Sequence, residues 1–428
     1  MKQEQPSAAA EPRFAAFVAI DWADQKHVWC AQAADSRTRD HGEIDHSPEA
    51  IESWVGMLSA RFGNQPIAVA VEQSRGALVF MLSKYAQLYL YPIHPRAAAQ
   101  FRATLFPSGV KDDPLDADLL LDLLVQHRRH LRRLDPDTEE TRLVQNLVEA
   151  RRKLVNEKTR QTNRLTEKLK LYFPQVLNWF QRVDSPLVGD FLERWPTLEN
   201  LQRARPATLR SFFAQHNCRH QEEIERRLEE VRKAIPAIRD QAVIRAGVVT
   251  VKVLVRLIAT LREGVHELDR EIEGAAAAHP DFAIFDSFPG AGSVLAPRLL
   301  AAFGSHRDRY SSVVELQAFS GIAPVTQRSG KSEWVHFRWA CPKFLRQTFH
   351  EWAAHSIPYS VWARAYYQQQ IAKGNDHHAA VRSLAFKWIR IAFRCWKDSV
   401  PYNESIYLAA LRRRGSALAV AVANPVNR

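Results

Sequence analysis

The sequence predicts a mixed α/β block at the N-terminus, followed by a long and mainly α-helical remainder. Apolar runs of strand length alternate with helical spacing over residues 15–134, which predicts the α/β block. Long charged helices with leucine stripes follow over 135–280, and mixed aromatic and basic helices follow over 281–407. The flanking residues 1–14 and 408–428 lack such patterns, so we expect flexible tails there. Hydrophobic residues make up 46% of the 428 residues, enough for roughly two to four domains with their own cores.

Four short apolar runs predict the strands of the first block. They are FAAFVAID (Phe14–Asp21), HVWCAQAAD (His27–Asp35), PIAVAVEQS (Pro66–Ser74) and LYLYPIHP (Leu88–Pro95). The second run follows the first closely enough to be its hairpin partner. The third run is apolar up to the acid Glu72, which is typical of a strand buried on both faces of a sheet.

Two helices of this block begin with residues that favour helix starts. Ser47 precedes Pro48 and a run with helical spacing, which predicts a serine N-cap followed by proline at the first helical position. Asp113 and Pro114 form a similar pair before a leucine-rich helix that extends to His127. Because an aspartate before a proline is a common helix cap, capping alone would explain Asp113.

The middle region carries two stripes of aliphatic residues that predict a coiled coil. In the second stripe the spacing is 4-3-4-3-4, which is a heptad seam. The first stripe is Leu143, Leu147, Leu154, Leu165 and Leu169, and the second is Leu254, Ile258, Leu261, Val265, Leu268 and Ile272. We expect the two segments to pair as antiparallel helices and to hold subunits together.

Charge is distributed unevenly along the chain. The formal net charge is +12, yet Ala15–Gln126 holds 9 basic and 14 acidic residues, a net charge of −5. Residues 1–14 are neutral overall, so residues 127–428 carry +17. This asymmetry predicts a metal-binding acidic core beside surfaces that bind nucleic acid. The alternative is ordinary solvated charge.

Several classes of protein are excluded or disfavoured. No apolar run approaches the ~20 residues of a membrane-spanning helix, and the N-terminus lacks the apolar core of a signal peptide. The four cysteines never form a CxxC pair, so we expect no disulfide framework or zinc finger and a reducing cytosol. No P-loop and no G-x-S-x-G motif occurs, so neither nucleotide hydrolysis nor esterase chemistry is indicated.

Carboxylates follow the predicted strands and begin the leucine-rich helix. Asp21 and Glu72 each end an apolar run, and strands of one sheet can bring such ends to a common edge. Asp113 and Asp116 are three residues apart and therefore share one helix face. Four converging carboxylates repel unless cations bridge them, and Mg²⁺ prefers such oxygen ligands. Two Mg²⁺ ions ~3.5–4 Å apart are the usual apparatus for displacement at a phosphodiester.

Other acids near these four are interpreted as surface residues. Asp118 and Asp122 lie about 200° or more around the helix from Asp116, so we expect them to be solvated. Asp24 and Asp112 are interpreted as surface or turn residues.

The segment PGAG, Pro289–Gly292, precedes a helix and resembles a phosphate-binding turn. Gly290 and Gly292 permit a tight turn whose backbone N–H groups face a helix start. Apolar-Gly-x-Gly between two helices is the pattern of a helix-hairpin-helix, which binds the DNA backbone without reading its sequence. An ordinary glycine turn between packed helices is the alternative.

A cationic Ser-Gly segment follows in GIAPVTQRSGKS. Ser329 stands between Arg328 and Gly330, with Lys331 next and Arg338 downstream, and these basic residues are candidates for nucleic-acid contact. Nearby cations would orient a phosphate and help a hydroxyl to attack it. From spacing alone, however, the segment predicts only a mobile loop.

These motifs together resemble the DEDD transposases of IS110-type insertion sequences, which are bridge-RNA-guided recombinases. The resemblance covers roughly Phe17 to Ser399. It is carried by AIDWADQKH, VAVEQSRG and KDDPLDADLL in the first block, and by FPGAGSVLAPRLLAAFG and ELQAFSGIAPVTQRSG in the C-terminal block. The resemblance implies a RuvC-like domain of RNase H fold, then a helical coiled-coil region and a mainly α-helical transposase domain.

The resemblance also implies site residues. The four family acids fall on Asp21, Glu72, Asp113 and Asp116, although Asp112 leaves the choice between 112 and 113 open. The nucleophile falls on Ser329, which would attack DNA to form a phosphoserine link while the acids hold two Mg²⁺ ions.

The resulting prediction is a DNA transposase or site-specific recombinase of an insertion sequence. Its expected partners are donor DNA, target DNA, a non-coding bridge RNA and further copies of itself, as a dimer or tetramer, in the bacterial cytoplasm and at the nucleoid. Three alternatives stay open: a RuvC-like endonuclease that uses metal-activated water, a DNA invertase of the same family, and a non-catalytic nucleic-acid scaffold.

Overall fold

The computed structural model describes residues 12–73, 76–105, 113–218, 220–330 and 332–423. The chain divides into two units, Met1–Pro136 and Asp137–Arg428. Among the described residues, no helix combines the length and the apolar character needed to cross a membrane. The four cysteines are free thiols.

A five-stranded mixed sheet organises the first unit, and four of its strands correspond to the four apolar runs that the sequence predicted. The strands are β1 (Ala16–Asp21), β2 (Lys26–Ala33), β3 (Arg39–Asp45), β4 (Ile67–Val71) and β5 (Leu88–Pro92). Their order in the sheet is β3-β2-β1-β4-β5. Strand β2 is antiparallel to both β1 and β3, whereas β4 runs parallel to both β1 and β5. Strand β3 was not predicted, because its residues RDHGEID are mostly polar.

Helices cover both faces of this sheet. They are α1 (Pro48–Phe62), α2 (Ala77–Leu82), α3 (Pro95–Leu105) and α4 (Asp113–His127), followed by a 3-10 turn at Arg128–His130. One core contains the apolar residues of α1 and α2, and a second core on the other face contains those of α3 and α4. Strand β4 is buried along its whole length between these layers, as its uniformly apolar sequence predicted.

The predicted helix start at Ser47 is confirmed. Its hydroxyl accepts a hydrogen bond from the backbone N–H of Ala50 at 3.2 Å, and Pro48 is the first residue of α1. At the N-terminus, Phe14 lies within the predicted flexible tail but is buried. Its ring makes edge contacts with Tyr89 and Tyr91, which explains why residue 14 belongs to the core.

The second unit is mainly helical, with one β-hairpin. Its helices are α5 (Glu139–Tyr172), α6 (Gln175–Trp179), α7 (Pro186–Arg194), α8 (Leu198–Gln202), α9 (Pro206–Gln215), α10 (Gln221–Lys233), α11 (Gln241–Ala277), α12 (Phe282–Asp286), α13 (Gly292–Phe303), α14 (Val313–Phe319), α15 (Lys343–Ser356), α16 (Val361–Ala372), α17 (His377–Lys397), α18 (Glu404–Arg413) and α19 (Ala417–Ala423). The hairpin consists of β6 (Val325–Ser329) and β7 (Ser332–His336).

The two long helices α5 and α11 pack along each other in antiparallel orientation. Tyr172, at the end of α5, packs over Gly247 near the start of α11, while Leu154 meets Gly264 farther along. The pair supports a core at each end. The helices α6–α10 share one core with Leu254 and Ile258, and the helices from α12 onward share the other core with Ile272.

The predicted seam is therefore buried at its ends and half-buried in its middle. Leu254, Ile258 and Ile272 are buried, whereas Leu261 and Leu268 keep partial exposure within this chain. The expectation for Leu143 was wrong, since its side chain is 50% exposed. The neighbouring Val144 takes the buried position instead, in the core that also contains Ile272.

The core shared by α12–α19 is built around four tryptophans. Trp352, Trp362, Trp388 and Trp396 are fully buried, and the rings of the first three are in mutual contact through Trp388. Helices α18 and α19 occupy the region where the sequence predicted a flexible tail. Leu418 of α19 is buried, because the apolar run ALAVAVA packs on α16.

Candidate active site

Asp21 and Glu72 lie at the ends of two adjacent parallel strands. The register of β1 and β4 pairs Ile20 with Val71, so the next residue of each strand is one of the two acids. Parallel strands direct their carboxyl ends to the same edge of a sheet, and both side chains here are half-buried. The register therefore places two carboxylates side by side at one edge.

Asp116 is the buried acid of the set. It lies on α4, which packs against β1 and β4, and its side chain is almost inaccessible to solvent. An unpaired buried carboxylate is costly, and Arg102 of α3 compensates the charge through a direct ion pair. Arg102 was not predicted, because a lone arginine 14 residues before Asp116 carries no local signal for this contact.

Two predicted residues cannot be placed fully. Asp113 is the first residue of α4, but its side chain lies outside the described part of the chain, and Asp112 lies outside it altogether. Of the four predicted acids, three therefore have described side chains: Asp21, Glu72 and Asp116.

The three described acids fit a hard divalent cation by their chemistry. All of them offer carboxylate oxygens, the ligands that Mg²⁺ prefers, and α4, which carries Asp116, packs against the two strands that end at Asp21 and before Glu72. Within the described residues, Asp21, Glu72 and Asp116 do not bring all their ligand atoms within 4.8 Å of one another. The positive charge of Arg102 neutralises the Asp116 carboxylate, as a bound metal cation would.

A separate polar cluster fastens α4 to the sheet. Cys30 of β2 and His41 of β3 are register partners across the two strands. The Asp118 carboxylate accepts hydrogen bonds from the Cys30 thiol at 3.2 Å and from Arg39 at 2.9 Å, and it lies 3.2 Å from Nε2 of His41. Arg39 also pairs with Asp122. The expectation that Asp118 and Asp122 are solvated was wrong, because β3 supplies a cation opposite them.

The protonation states in this cluster favour a structural role. Burial opposes ionisation of Asp118, but the hydrogen bonds from Cys30, Arg39 and His41 outweigh it and lower the pKa of the carboxyl group. Burial, together with the hydrogen bond to Asp118, raises the pKa of the Cys30 thiol. The thiol therefore stays protonated and donates to a charged carboxylate. Although Cys30, His41 and Asp118 are close enough to ligate a metal, Arg39 already neutralises Asp118.

A buried histidine supports the loop that follows Asp21. His27 is fully buried, and its Nδ1 accepts a hydrogen bond from the backbone N–H of Ala23 at 3.2 Å. Its Nε2 lies 2.8 Å from Nδ1 of His46. Burial, and the neighbouring His46, lower the pKa of His27 to about 4. The ring is therefore neutral near pH 7. This agrees with the hydrogen bond from Ala23, since Nδ1 can accept it only without a proton of its own.

The PGAG turn packs against helix α15. Both glycines have left-handed backbones, with φ of +73° at Gly290 and +51° at Gly292. A Cβ atom on Gly290 would lie 2.4 Å from the carbonyl oxygen of His355, so close approach to α15 accounts for this glycine. At Gly292 a Cβ atom would meet nothing within 4 Å. Of the two glycines predicted to bind phosphate, Gly292 is thus the one with open space.

Ser329 lies at the tip of a β-hairpin, where the sequence predicted a mobile loop. It ends β6 and pairs with Ser332 of β7 across a turn that includes Gly330. Gly330 has φ of +56°, the left-handed conformation that such turns require, and the run SEWVH contains residues that favour strands. Ser329 is exposed. Lys331 lies outside the described residues.

Arg328 of the hairpin and Arg338, which follows it, both have partners within the protein. Arg328 donates to the Glu333 carboxylate at 3.1 Å, although both side chains stay largely exposed. Arg338, predicted to contact nucleic acid, donates to the carbonyl oxygens of Ala323 and Pro324 at 3.3 and 3.4 Å. These bonds fix the base of the hairpin.

Comparisons with known proteins agree with the motifs. The transposase family model named DEDD_Tnp_IS110 matches residues 18–174, and the model for transposases of the IS116/IS110/IS902 family matches residues 283–368. A mini-circle protein of Streptomyces coelicolor, assigned as the transposase for IS117, is 27% identical over 413 residues, or 94% of this chain and 98% of that protein. The 43.6 kDa protein of insertion element IS110 from the same organism is 26% identical over 368 residues, or 85% and 89% of the two chains.

Proposed function

The chain belongs to the IS110 family of insertion-sequence transposases, and from this membership we propose that it cuts and rejoins DNA through Ser329 with divalent metal ions held by four acids. The proposed ligands of two Mg²⁺ ions are Asp21, Glu72, Asp113 and Asp116. We further propose that a bridge RNA selects the DNA sites. Transposases are enzymes, so the non-catalytic scaffold is set aside.

The proposed metal site rests chiefly on the parallel register of β1 and β4. This register puts Asp21 and Glu72 next to each other, and α4 brings the buried Asp116 against the same strands. The sheet order β3-β2-β1-β4-β5, with a parallel β1–β4–β5 half, supports a RuvC-like domain of RNase H fold. When bound there, Mg²⁺ would stabilise negative charge that develops on the phosphate oxygens.

The chemistry proposed for Ser329 is a displacement at phosphorus. Its hydroxyl oxygen forms a bond to phosphorus, one bridging P–O bond of the DNA backbone breaks, and the serine proton ends on the leaving deoxyribose oxygen. The protein is then joined to DNA through a phosphoserine. Attack by the hydroxyl of another DNA end reverses these changes and restores a phosphodiester. The exposed position of Ser329 at a hairpin tip gives a DNA strand access to its hydroxyl.

The remaining alternative is a metal-dependent nuclease that uses water. In that case the acids alone would cut DNA and Ser329 would be only a turn residue of the hairpin. The family match over residues 18–174 is compatible with this alternative, because it concerns the acids and does not include the serine.

The decisive experiment is denaturing electrophoresis of labelled DNA after incubation with protein and Mg²⁺. We expect wild type to give a protein–DNA adduct that resists denaturation, and Ser329→Ala to bind DNA but give neither adduct nor recombination. Thr326→Ala is the matched control, since it removes an exposed hydroxyl from the opposite face of the same strand. Equal cleavage by Ser329→Ala and wild type, without an adduct, would reject the serine and favour the water-using nuclease.

The proposed partners follow from the same function. We propose donor and target DNA, a non-coding RNA encoded beside the gene, and self-association as a dimer or tetramer, in the bacterial cytoplasm and at the nucleoid. The test for the guide is to sequence RNA that copurifies with the protein when the gene is expressed with its flanking DNA. Recombination that persists without any flanking RNA would contradict the guide.

The products of recombination between two sites, either inverted or transposed, distinguish an invertase from a transposase.

A further inference from the structure

The hairpin that carries Ser329 presents a single face on which the serine and an aromatic pair lie together. Residues directly opposite in an antiparallel pair share a face, and so do residues two apart on one strand. The register pairs Ser329 with Ser332, Gln327 with Trp334 and Val325 with His336. These six residues define what we call the serine face: Val325, Gln327, Ser329, Ser332, Trp334 and His336.

The indole of Trp334 is largely exposed to solvent. It is 63% exposed, and the ring of His336 stacks on it with centroids 4.7 Å apart and an angle of 28° between the planes. The histidine supports one side of the indole, while the high exposure leaves other ring surface accessible. Large exposed aromatic rings are typical of surfaces that bind a partner.

We propose that Trp334, supported by His336, is a stacking platform for an unpaired DNA base next to the phosphate that Ser329 attacks. The inference rests on the proposed role of Ser329. Trp334 lies two residues along β7 from Ser332, the partner of Ser329, so the two sites are about 7 Å apart along the strand. This span is about twice the 3.4 Å spacing of stacked bases, so about one to two nucleotides of an unstacked strand cover it. A strand whose phosphate meets Ser329 thus has a neighbouring base within reach of the indole.

The chemistry of the serine face favours a nucleotide over an apolar protein surface. Besides Val325 and the aromatic pair, the face consists of Gln327, Ser329 and Ser332. Their amide and hydroxyl groups can form hydrogen bonds with sugar and phosphate groups. Residues 127–428, which include the hairpin, carry a net charge of +17. Arg328 lies on the opposite face of the hairpin, where it pairs with Glu333. Base stacking on aromatic rings within a basic surface is the usual mode of binding single strands. A base in a duplex has both faces covered by its neighbours, so the platform requires a strand that is unpaired near the cut.

Binding is tested with full-length protein and a single-stranded oligonucleotide that contains 2-aminopurine, a base whose fluorescence falls when it stacks. We expect wild type to quench the probe and Trp334→Ala to lose both the quenching and about five- to hundred-fold in affinity. Trp334→Phe should retain most of both. Val335→Ala is the matched control, because Val335 is the next residue, is 55% exposed and faces the opposite side.

Two further readouts separate base stacking from a phosphate contact and from misfolding. Loss of stacking should weaken binding by a similar factor at about 50 mM and at about 200 mM salt. Loss of a phosphate contact would instead make the affinity depend less steeply on salt concentration. Circular dichroism melting checks that Trp334→Ala is folded. Quenching and affinity of Trp334→Ala equal to those of Val335→Ala would overturn the platform. So would a change in oligomer mass without any change in quenching, since the face would then be a subunit contact.

The failure of this inference is distinguishable from failure of the proposed function. Ser329→Ala should still quench the probe, because stacking does not need the hydroxyl. If Ser329→Ala cuts DNA normally, the serine mechanism fails whatever the quenching shows. If Ser329→Ala loses the adduct while Trp334→Ala binds and quenches like wild type, the platform alone is rejected.

Discussion

The acids of the candidate site differ in how their charge is compensated. Asp116 is buried and ion-paired with Arg102, whereas Asp21 and Glu72 lie side by side at the half-buried edge of the sheet. Like charges on neighbouring strands are unfavourable, and a buried charge is stable only with its partner. The same substitution should therefore have different effects on stability at different acids, even if all of them abolish catalysis.

We predict that Asp21→Ala, Glu72→Ala and Asp116→Ala each lower Mg²⁺-dependent cleavage by about a hundredfold or more. Glu72→Ala should keep or slightly raise the melting temperature, since one of two adjacent like charges is removed. Asp116→Ala should lower the free energy of unfolding by about 1–3 kcal/mol, because Arg102 loses its buried partner.

The matched control for these variants is Asp24→Asn, a solvent-exposed acid shortly after Asp21, which should keep wild-type cleavage. Replacing Arg102 together with Asp116 by apolar residues should restore most of the lost stability but no activity. Full cleavage activity of Asp116→Ala would contradict the four-acid site.

The lowered pKa of His27 predicts that the protein loses stability in mild acid. In the folded protein its pKa is lowered to about 4, by burial and by His46, whereas in the unfolded chain it is near 6.5. Between these values the unfolded chain binds the proton more readily, so stability falls as the pH decreases from 6.5 to about 4. Above pH 7 the histidine contributes no pH dependence. Thermal melting at several pH values should show this slope, and it should be smaller in His27→Gln. An unchanged slope in that variant would assign the effect to other groups.

Among the larger elements, the α5–α11 pair combines two buried ends with a half-buried middle. The ends are covered by other helices of the same chain, but Leu261 and Leu268 lie where neither core reaches. Aliphatic residues repeated at heptad spacing and left partly exposed favour contact with another copy of the helix. The middle of the seam is therefore the part of the chain that we expect to join subunits.

We predict that replacing Leu261 and Leu268 by Asp dissociates the oligomer. Unpaired charges in a buried seam cost well above ~2 kcal/mol, so light scattering should show smaller particles. Thr260→Asp is the control, because this exposed residue adjoins Leu261 on the same helix. If the double variant stays folded with unchanged mass, the seam serves only to pair α5 with α11 inside one chain.

At the scale of the whole molecule, the chain separates charge and chemistry between its two units. The acids belong to the first unit, in a segment with a net charge of −5, and Ser329 belongs to the second, in the segment with +17. A basic surface attracts the phosphate backbone and an acidic cluster attracts divalent cations. Both are needed when a metal-assisted displacement occurs on DNA.

The sequence by itself determined the features that depend on residues close together in the chain. The Ser47 cap, the buried strand β4, the acids at the ends of β1 and β4, and the helix beginning at Asp113 were all predicted and agree with the structure. Capping, strand burial and helix starts follow from short-range sterics and hydrogen bonding, so a local pattern predicts them.

Only the tertiary structure decided which distant residues meet. Arg102 compensates Asp116, Arg39 pairs with Asp118, and α15 rather than a phosphate fills the space beside Gly290. The hairpin register that puts Trp334 on the same face as Ser329 belongs to this group, because the sequence predicted only a loop there. Such contacts join residues that are separated along the chain or on paired strands, and burial of charge and close backbone approach select them only once the chain is packed.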